Sequence, residues 1–280
     1  MSSAESANTG HVSTSVEETS FTNRLRELRE AVEVRLDQDT QPSAGCPERL
    51  NDAIRYSVLA PGKRMRPLLA LLACESVGAS WQEALPVASA VEFIHVYSLI
   101  HDDLPAMDDD KLRRGQATCH RRFDEATAIL AGDSLQMLAI EVLCQDLPAD
   151  RAAACCAILS KAAGRCRLVG GQADDLAAEG RYEGIMTPRT VEFLKDIHRR
   201  KTGALIEASL QLGGVVGGAD SAQLEVLGGF GRSIGLAFQI IDDCLDVEAT
   251  PEQMGKNTRK DGDQGKLTYP GLLGLEASHK

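Results

Sequence analysis

Aromatic side chains are scarce in this chain: they make up 4% of its 280 residues, with a single Trp. Val (16) and Ile (12) are also few beside Ala (35) and Leu (33). Strands draw on β-branched and aromatic residues, helices on Ala and Leu, so this imbalance excludes a β-sandwich or barrel. Basic residues are in deficit, 30 against 41 acidic, leaving a formal charge of −11. Nucleic acid is thereby excluded as a partner, and an anionic ligand must be held by local cations or metal ions. No CxxC spacing occurs among the eight Cys, which scatter from Cys46 to Cys244; they read as reduced thiols, not as a disulfide framework. No uninterrupted apolar run reaches the ~18 residues of a membrane span. Residues 1–20 contain neither Arg nor Lys and no apolar segment. They read as a disordered acidic tail, neither signal nor transit peptide, and the expected location is cytoplasmic.

What is present is helical periodicity over 21–280, expected as one all-α domain. Leu25, Leu28, Val32 and Leu36 form one apolar stripe at helical spacing. Proline and glycine interrupt the pattern at 41–47 and again at Ala60-Pro61-Gly62. Further helices are expected at about 48–59, 65–77, 83–103, 123–145, 150–171, 188–212 and 221–247. Thr187-Pro188 reads as a cap followed by a proline in the first helical position.

Two acidic segments interrupt these apolar helices. His101-Asp102-Asp103-Leu104-Pro105-Ala106-Met107-Asp108-Asp109-Asp110 closes the most hydrophobic one, and Ile240-Ile241-Asp242-Asp243-Cys244-Leu245-Asp246 lies inside the last. Asp242 and Asp246 stand at i, i+4 and share a face. Asp102 and Asp108 would diverge on a continuous helix, but Pro105 lets the chain leave it and turn Asp108 back. Carboxylates at the edge of a core repel one another without a counter-ion, and oxygen-only ligands suit Mg²⁺ better than Zn²⁺. One such cluster alone is more often a solvated helix end; two on apolar helices of one chain are not.

Cations accompany both clusters: Lys63 and Arg66 in Gly62-Lys63-Arg64-Met65-Arg66-Pro67, Arg113-Arg114, Arg199-Arg200-Lys201-Thr202, and Lys256, Lys260 and Lys266 around the Gly255–Gly265 loop. Each alone reads as a surface charge. Together with the acidic pairs they describe a diphosphate clamped between Mg²⁺ and Lys/Arg, with an apolar cavity between helices for a hydrocarbon tail.

The segments GKRMRP, EFIHVYSLIHDDLPAMDDDKLRRG, GGQADDL, KTGAL, FQIIDDCLD and the loop ending KLTYP, in this order, resemble the trans-isoprenyl diphosphate synthases, nearest their bacterial short-chain farnesyl/geranylgeranyl branch. The resemblance covers about three quarters of the chain. It implies a bundle of mostly antiparallel helices around a central cavity, a homodimer, and head-to-tail condensation of isopentenyl diphosphate with allylic diphosphates using three Mg²⁺. By motif position it implies that Asp102, Asp108 and Asp242 hold metal. Arg113, Lys201, Thr202, Gln239 and Lys256 would hold the allylic diphosphate, and Lys63, Arg66, His95 and Arg114 the isopentenyl one. Lys266 would contribute to the closing loop, and Gln172 and Asp175 would stand behind the first set. Similar proteins carry a further helix beyond the position of Lys280, so weaker closure of the site is expected here. A terpene cyclase is excluded because Asp246 and Thr250 stand where its second motif has Ser/Thr and Glu. Tyr97, five residues before Asp102, is expected to floor the tail cavity and set farnesyl diphosphate as the product; the alternatives are geranylgeranyl diphosphate synthesis and a catalytically weak partner subunit.

Overall fold

Thirteen helices and one small hairpin make up residues 10–248 and 266–279, the part of the chain that the computed structural model describes. Helix α1 spans Gly10–Asp39, α2 Glu48–Val58, α3 Met65–Ser76 and α4 Leu85–Asp102, the last entered through a 3₁₀ turn at Trp81–Ala84. Strands β1 (Leu112–Arg113) and β2 (Gln116–Ala117) pair antiparallel, Leu112 opposite Ala117. Then come α5 (Cys119–Arg122), α6 (Glu125–Asp146), α7 (Ala149–Ala163), α8 (Leu168–Ala178) and α9 (Val191–His198). A π-helical turn at Arg199–Gly203 leads into α10 (Ala204–Val216); α11 (Ser221–Glu248), α12 (Tyr269–Leu273) and α13 (Leu275–Ser278) follow.

The all-α expectation holds, with differences that have local causes. Helix α1 starts at Gly10, inside the stretch expected as a tail: no proline interrupts 10–39 and Glu17-Glu18 favour helix. Residues 1–9 of that stretch lie outside the described residues. The single helix expected at 150–171 is two, because the chain breaks at Gly164, which is extended. Helix α9 begins three residues after Pro188, since Thr190 is the residue whose side chain accepts the Phe193 N–H. The hairpin has only two residues per strand, too short to leave an alternating pattern in the sequence.

Helix α4 is the axis. It packs along α6 on one side and α3 on the other, and α10 packs against both α3 and α11. Val87, Ala88, Ala90, Val91, Phe93 and Ile94 are buried on it, joined by Leu28, Val32 and Leu36 of α1 and Ala131, Leu135 and Leu143 of α6 in one core. Although no uninterrupted apolar run is long enough to span a membrane, three helical stretches, Trp81–Asp102, Glu125–Asp146 and Ser221–Glu248, are long and apolar enough by length and composition. The first has 72% of its window buried inside the bundle, so its hydropathy is spent on the core.

Candidate active site

The first acidic segment forms a closed turn. Leu104 N–H still bonds the His101 carbonyl, and then Pro105 ends helical bonding. The chain reverses: Asp108 N–H donates to the Asp102 carbonyl at 2.8 Å and Asp109 N–H to that of Leu104 at 3.1 Å. Asp109 takes a left-handed conformation, φ 49°, which aspartate tolerates better than most residues. The turn thus returns Asp108 to Asp102, as the spacing around Pro105 predicts. Arg181, from the segment after α8, donates to the carbonyls of Ala106 (2.9 Å) and Met107 (2.6 Å) and pins the turn from outside.

Facing it are the π turn and α8. Gly171 and Gly235 make this approach possible. A Cβ on Gly171 would lie 2.3 Å from the Lys201 backbone nitrogen, and one on Gly235 2.9 Å from Cα of Gly203, so α8 and α11 both contact the π turn backbone to backbone. Lys201 Nζ donates to Asp175 Oδ2 at 2.5 Å. Burial disfavours the charged amine, yet Asp175 and Asp102 outweigh it and raise its pKa. Burial likewise opposes the Asp175 carboxylate, but Lys201 holds it below its ordinary range. Asp102 fares differently. Burial and the neighbouring Asp108 and Asp103 push its carboxyl up to about 7 against the pull of Lys201. Gln172, one helical turn from Asp175, is buried with both amide atoms lacking a hydrogen-bond partner. Lys266 reaches over this cluster, its Nζ 3.9 Å from Asp108 Oδ2 and 3.8 Å from Glu179 Oε1.

Asp242 and Gln239 lie half-buried on α11, with Asp243 accepting the Tyr269 N–H at 2.9 Å and Asp246 buried. Among the described residues, no three acidic, imidazole or thiol groups converge enough to hold an ion by themselves. That donor set fits Mg²⁺, which takes one or two carboxylates and completes its shell with water and substrate phosphate. The raised Asp102 and the unpartnered Gln172 amide are features that a bound cation and its ligand would relieve.

A second cluster, cationic, surrounds the start of α3. His95 on α4 stays neutral, its pKa pushed well below the ordinary value by burial and by Arg66, Arg114, Arg113 and Arg64. Arg66 is lowered to about 10, chiefly by burial, with Glu92 opposing and Arg114 assisting; its Nε is buried without a partner. Lys63 is exposed at the rim. Arg113 grips the buried Asp103 through Nε (2.7 and 3.0 Å) and Nη2 (2.5 Å) and stays close enough to Asp102 to lower its pKa. Thr202 is half-buried beside Lys201. Lys256 lies outside the described residues. A small open cleft beside α4 is lined by Tyr56, Val96, Leu99, Ile100, Arg114 and Cys119.

Arg64, Glu92, Glu179 and Arg181 join these clusters without having been singled out by sequence. Glu92 had a readable signal, a carboxylate within an apolar helix three residues before His95. Glu179 had a weaker one, at i+4 from Asp175.

Residues 47–280 match the Polyprenyl synthetase family model. The chain belongs to that family. It is 48% identical over 242 residues to geranylgeranyl pyrophosphate synthase 7, chloroplastic, of Arabidopsis thaliana, covering 86% of this chain and 69% of the relative. The large subunit 1 of a heterodimeric chloroplastic geranylgeranyl pyrophosphate synthase from the same plant is 46% identical over 239 residues, 84% of this chain and 64% of that one. The chain therefore spans about two thirds of these curated relatives. The solved structure of Helicobacter pylori geranyltransferase complexed with magnesium and isoprenyl diphosphate superposes with a TM-score of 0.81 at 32% identity, covering 98% of this chain and 88% of that one. This polyprenyl synthetase is accordingly an all-α short-chain trans-prenyltransferase. The cytoplasmic location expected from residues 1–20 does not stand, because relatives at 44–48% identity are chloroplastic proteins; an acidic N-terminal stretch carries no weight against that.

Proposed function

We propose that the chain condenses isopentenyl diphosphate with allylic diphosphates, with Mg²⁺ as cofactor, and extends them to geranylgeranyl diphosphate. The observation that carries the reading is a pair of clusters bordering two levels of α4: His95 with Arg66 and Arg114, and then, two helical turns on, Asp102 with Asp108 and Lys201. One carries net positive charge, suited to a diphosphate that stays intact. The other mixes carboxylates with one charged lysine, suited to metal ions and a diphosphate that leaves.

Mg²⁺ bound at Asp102, Asp108 and Asp242 would supply positive charge to the leaving diphosphate. Lys201, kept protonated by Asp175, adds to it, and charge developing as the allylic C–O bond breaks is stabilised more than the ground state. The isopentenyl double bond then attacks the allylic cation, a C–C bond forms, and the proton lost beside it goes to the departing diphosphate. Neutral His95 donates one N–H to the isopentenyl diphosphate and adds no charge to an already cationic pocket. The apolar wall of α4 keeps water from the cation.

The C20 product replaces the farnesyl expectation for two reasons. Relatives at 45–48% identity bear geranylgeranyl names. Tyr97, taken as the floor, is 5% exposed and packs edge-on against His101, ring centres 5.8 Å apart, while His101 contacts the Ile129 carbonyl of α6 at 3.1 Å. The ring is thus buried against a neighbour one turn on along its own helix, and that neighbour reaches α6. An apolar strip of Ile129, Leu130 and Met137 is exposed on α6 and supports assembly into a dimer, with a second copy or a related subunit. Incubation with Mg²⁺, isopentenyl diphosphate and each of the C5, C10 and C15 primers, followed by chromatography, tests the reading. C20 from all three is expected; termination at C15 would return the product to farnesyl, and no condensation would remove the function.

A further inference from the structure

The motif that carries Lys63 and Arg66 has a third cation between them, and its side chain turns inward. Arg64 has no exposed side-chain surface. Its Nη2 donates to the carbonyls of Val58 (2.8 Å) and Ala60 (2.9 Å), its Nη1 to Glu92 Oε1 (2.7 Å), and its Nε and Nη2 to Glu33 (2.8 and 3.1 Å). It also takes a left-handed backbone conformation, φ 50°, at the residue before α3. That conformation costs about 1 kcal/mol or more for a side chain of this size, and it persists because five hydrogen bonds fix the guanidinium. Three elements are tied at this one point: the end of α2 with the loop that follows, α1 through Glu33, and α4 through Glu92.

Glu92 is the counterpart. It is 1% exposed and faces three guanidiniums, hydrogen-bonded to Arg64 and favouring the charged forms of Arg66 and Arg114. Arg114 lies against the same loop, since a Cβ on Gly62 would sit 2.6 Å from its Nη1. Guanidiniums packed this closely without an internal carboxylate would repel one another and lose the desolvation energy uncompensated. Arg64 is neutralised by Glu92 and Glu33, so the charge left for an anion belongs to Lys63, Arg66 and Arg114.

We infer that Arg64 and Glu92 are positioning residues for the isopentenyl diphosphate pocket: they touch no substrate, but fix the Ala60–Arg66 segment so that its neighbours present their charges together. The inference rests on the proposed function only for the identity of the ligand. It assigns the buried pair an effect on one substrate and not on the other, because Lys201, Asp175 and the Asp102–Asp108 turn share no hydrogen bond with Arg64 or Glu92.

The test is the double variant Arg64→Met/Glu92→Met, which removes both buried charges at similar volume, a replacement that buried pairs commonly tolerate. Its helical content is expected near wild type, with a melting temperature lower by a few °C because Arg66 and Arg114 lose the Glu92 carboxylate. Its KM for isopentenyl diphosphate should rise about tenfold or more, with the allylic KM and kcat at saturating isopentenyl diphosphate within about threefold. Calorimetric titration with isopentenyl diphosphate in metal-free buffer should show the same loss of affinity. A folded double variant whose isopentenyl KM stays within about twofold of wild type overturns the inference, and so does an equal rise in both KM values. If the double variant does not fold, Arg64→Lys decides: it keeps the charge but loses the fork, and an unchanged isopentenyl KM overturns the assignment. Wild-type protein that binds neither isopentenyl diphosphate nor inorganic pyrophosphate would instead overturn the proposed function, and the two failures are told apart by that control.

Discussion

The cationic cluster at the start of α3 and the acidic cluster at the end of α4 both border α4, yet they are prepared for ligand in opposite ways. The cationic cluster carries its own counter-charges: Glu92 and Glu33 neutralise Arg64, and His95 stays uncharged among the guanidiniums. Its charges are largely balanced before an anion arrives, with Arg66 Nε left unpartnered. The acidic cluster is not balanced. Asp102 is pushed up to about 7, the Glu179 carboxyl is raised, mainly by burial, and the amide of Gln172 has no partner. A pocket that only holds its ligand can be built at low energy, whereas one that stabilises a developing charge keeps groups unsatisfied until the reaction supplies their partners. The contrast is sharpest where each cluster is broken singly.

The largest effect belongs to the unbalanced side. Asp102→Ala and Asp242→Ala should each leave a folded helical protein with kcat lower by ~10³ or more, about 4 kcal/mol of transition-state stabilisation. Near-normal turnover of either variant in excess Mg²⁺ would remove the carboxylates from the chemistry. Next come the cations. Lys201→Ala should lower kcat by roughly 10²-fold and weaken the allylic substrate, since Lys201 is bound to Asp175 beside the acidic turn. Lys63→Ala and Arg66→Ala should chiefly raise the isopentenyl KM, by roughly tenfold. Steady-state kinetics with each substrate varied in turn checks the division, and one variant damaging both KM values alike would contradict it.

How much of this was legible in the sequence depended on whether the signal was local. The Asp102–Asp108 turn was, because Pro105 forces the chain out of α4 whatever surrounds it. The helices were, through their apolar spacing, and α3, α4 and α11 end within two residues of their expected limits. The pairing of Arg113 with Asp103 was not, since nothing in the motif says which of the neighbouring carboxylates this guanidinium grips. Arg64 was hidden for the same reason in reverse. Nothing in Lys63-Arg64-Met65-Arg66 says which cation turns inward, since that is decided by Glu33 and Glu92, distant in sequence. The location, read from a single feature, gave way to the relatives; the product, read from Tyr97 alone, is weighed against their geranylgeranyl names.

The acidic cluster's imbalance also predicts a stability effect, smaller than the kinetic ones. Asp102 has a folded pKa near 7 against 3.8 when free, so between pH 4 and 7 the folded state binds the extra proton. Stability contributed by that group falls as pH rises through this window and stays low above it. Asp102→Asn has no such proton to lose. In metal-free buffer at pH 8 it should melt above wild type, by a few °C for roughly 1–2 kcal/mol, and the difference should shrink towards pH 5. A melting temperature below wild type at pH 8 would mean that Asp102 is already well compensated there by Lys201.

The smallest expected effect on catalysis lies between the two clusters, at Tyr97. If its ring serves as a packing residue against His101 in the core, Tyr97→Ala empties a buried volume and should cost about 2–4 kcal/mol of stability. It should leave the product at C20, because the chain end lies deeper than this side chain. If the ring is instead the floor, wild-type protein stops at C15 and the alanine variant lengthens the product while melting only slightly lower. Product chromatography and a melting curve on the same two samples separate these outcomes, since a helix-packing residue moves the second measurement and a floor residue moves the first. A wild type that makes C20 and a Tyr97→Ala variant that makes longer chains would place the floor at Tyr97 after all and show that its depth, not its presence, sets the length.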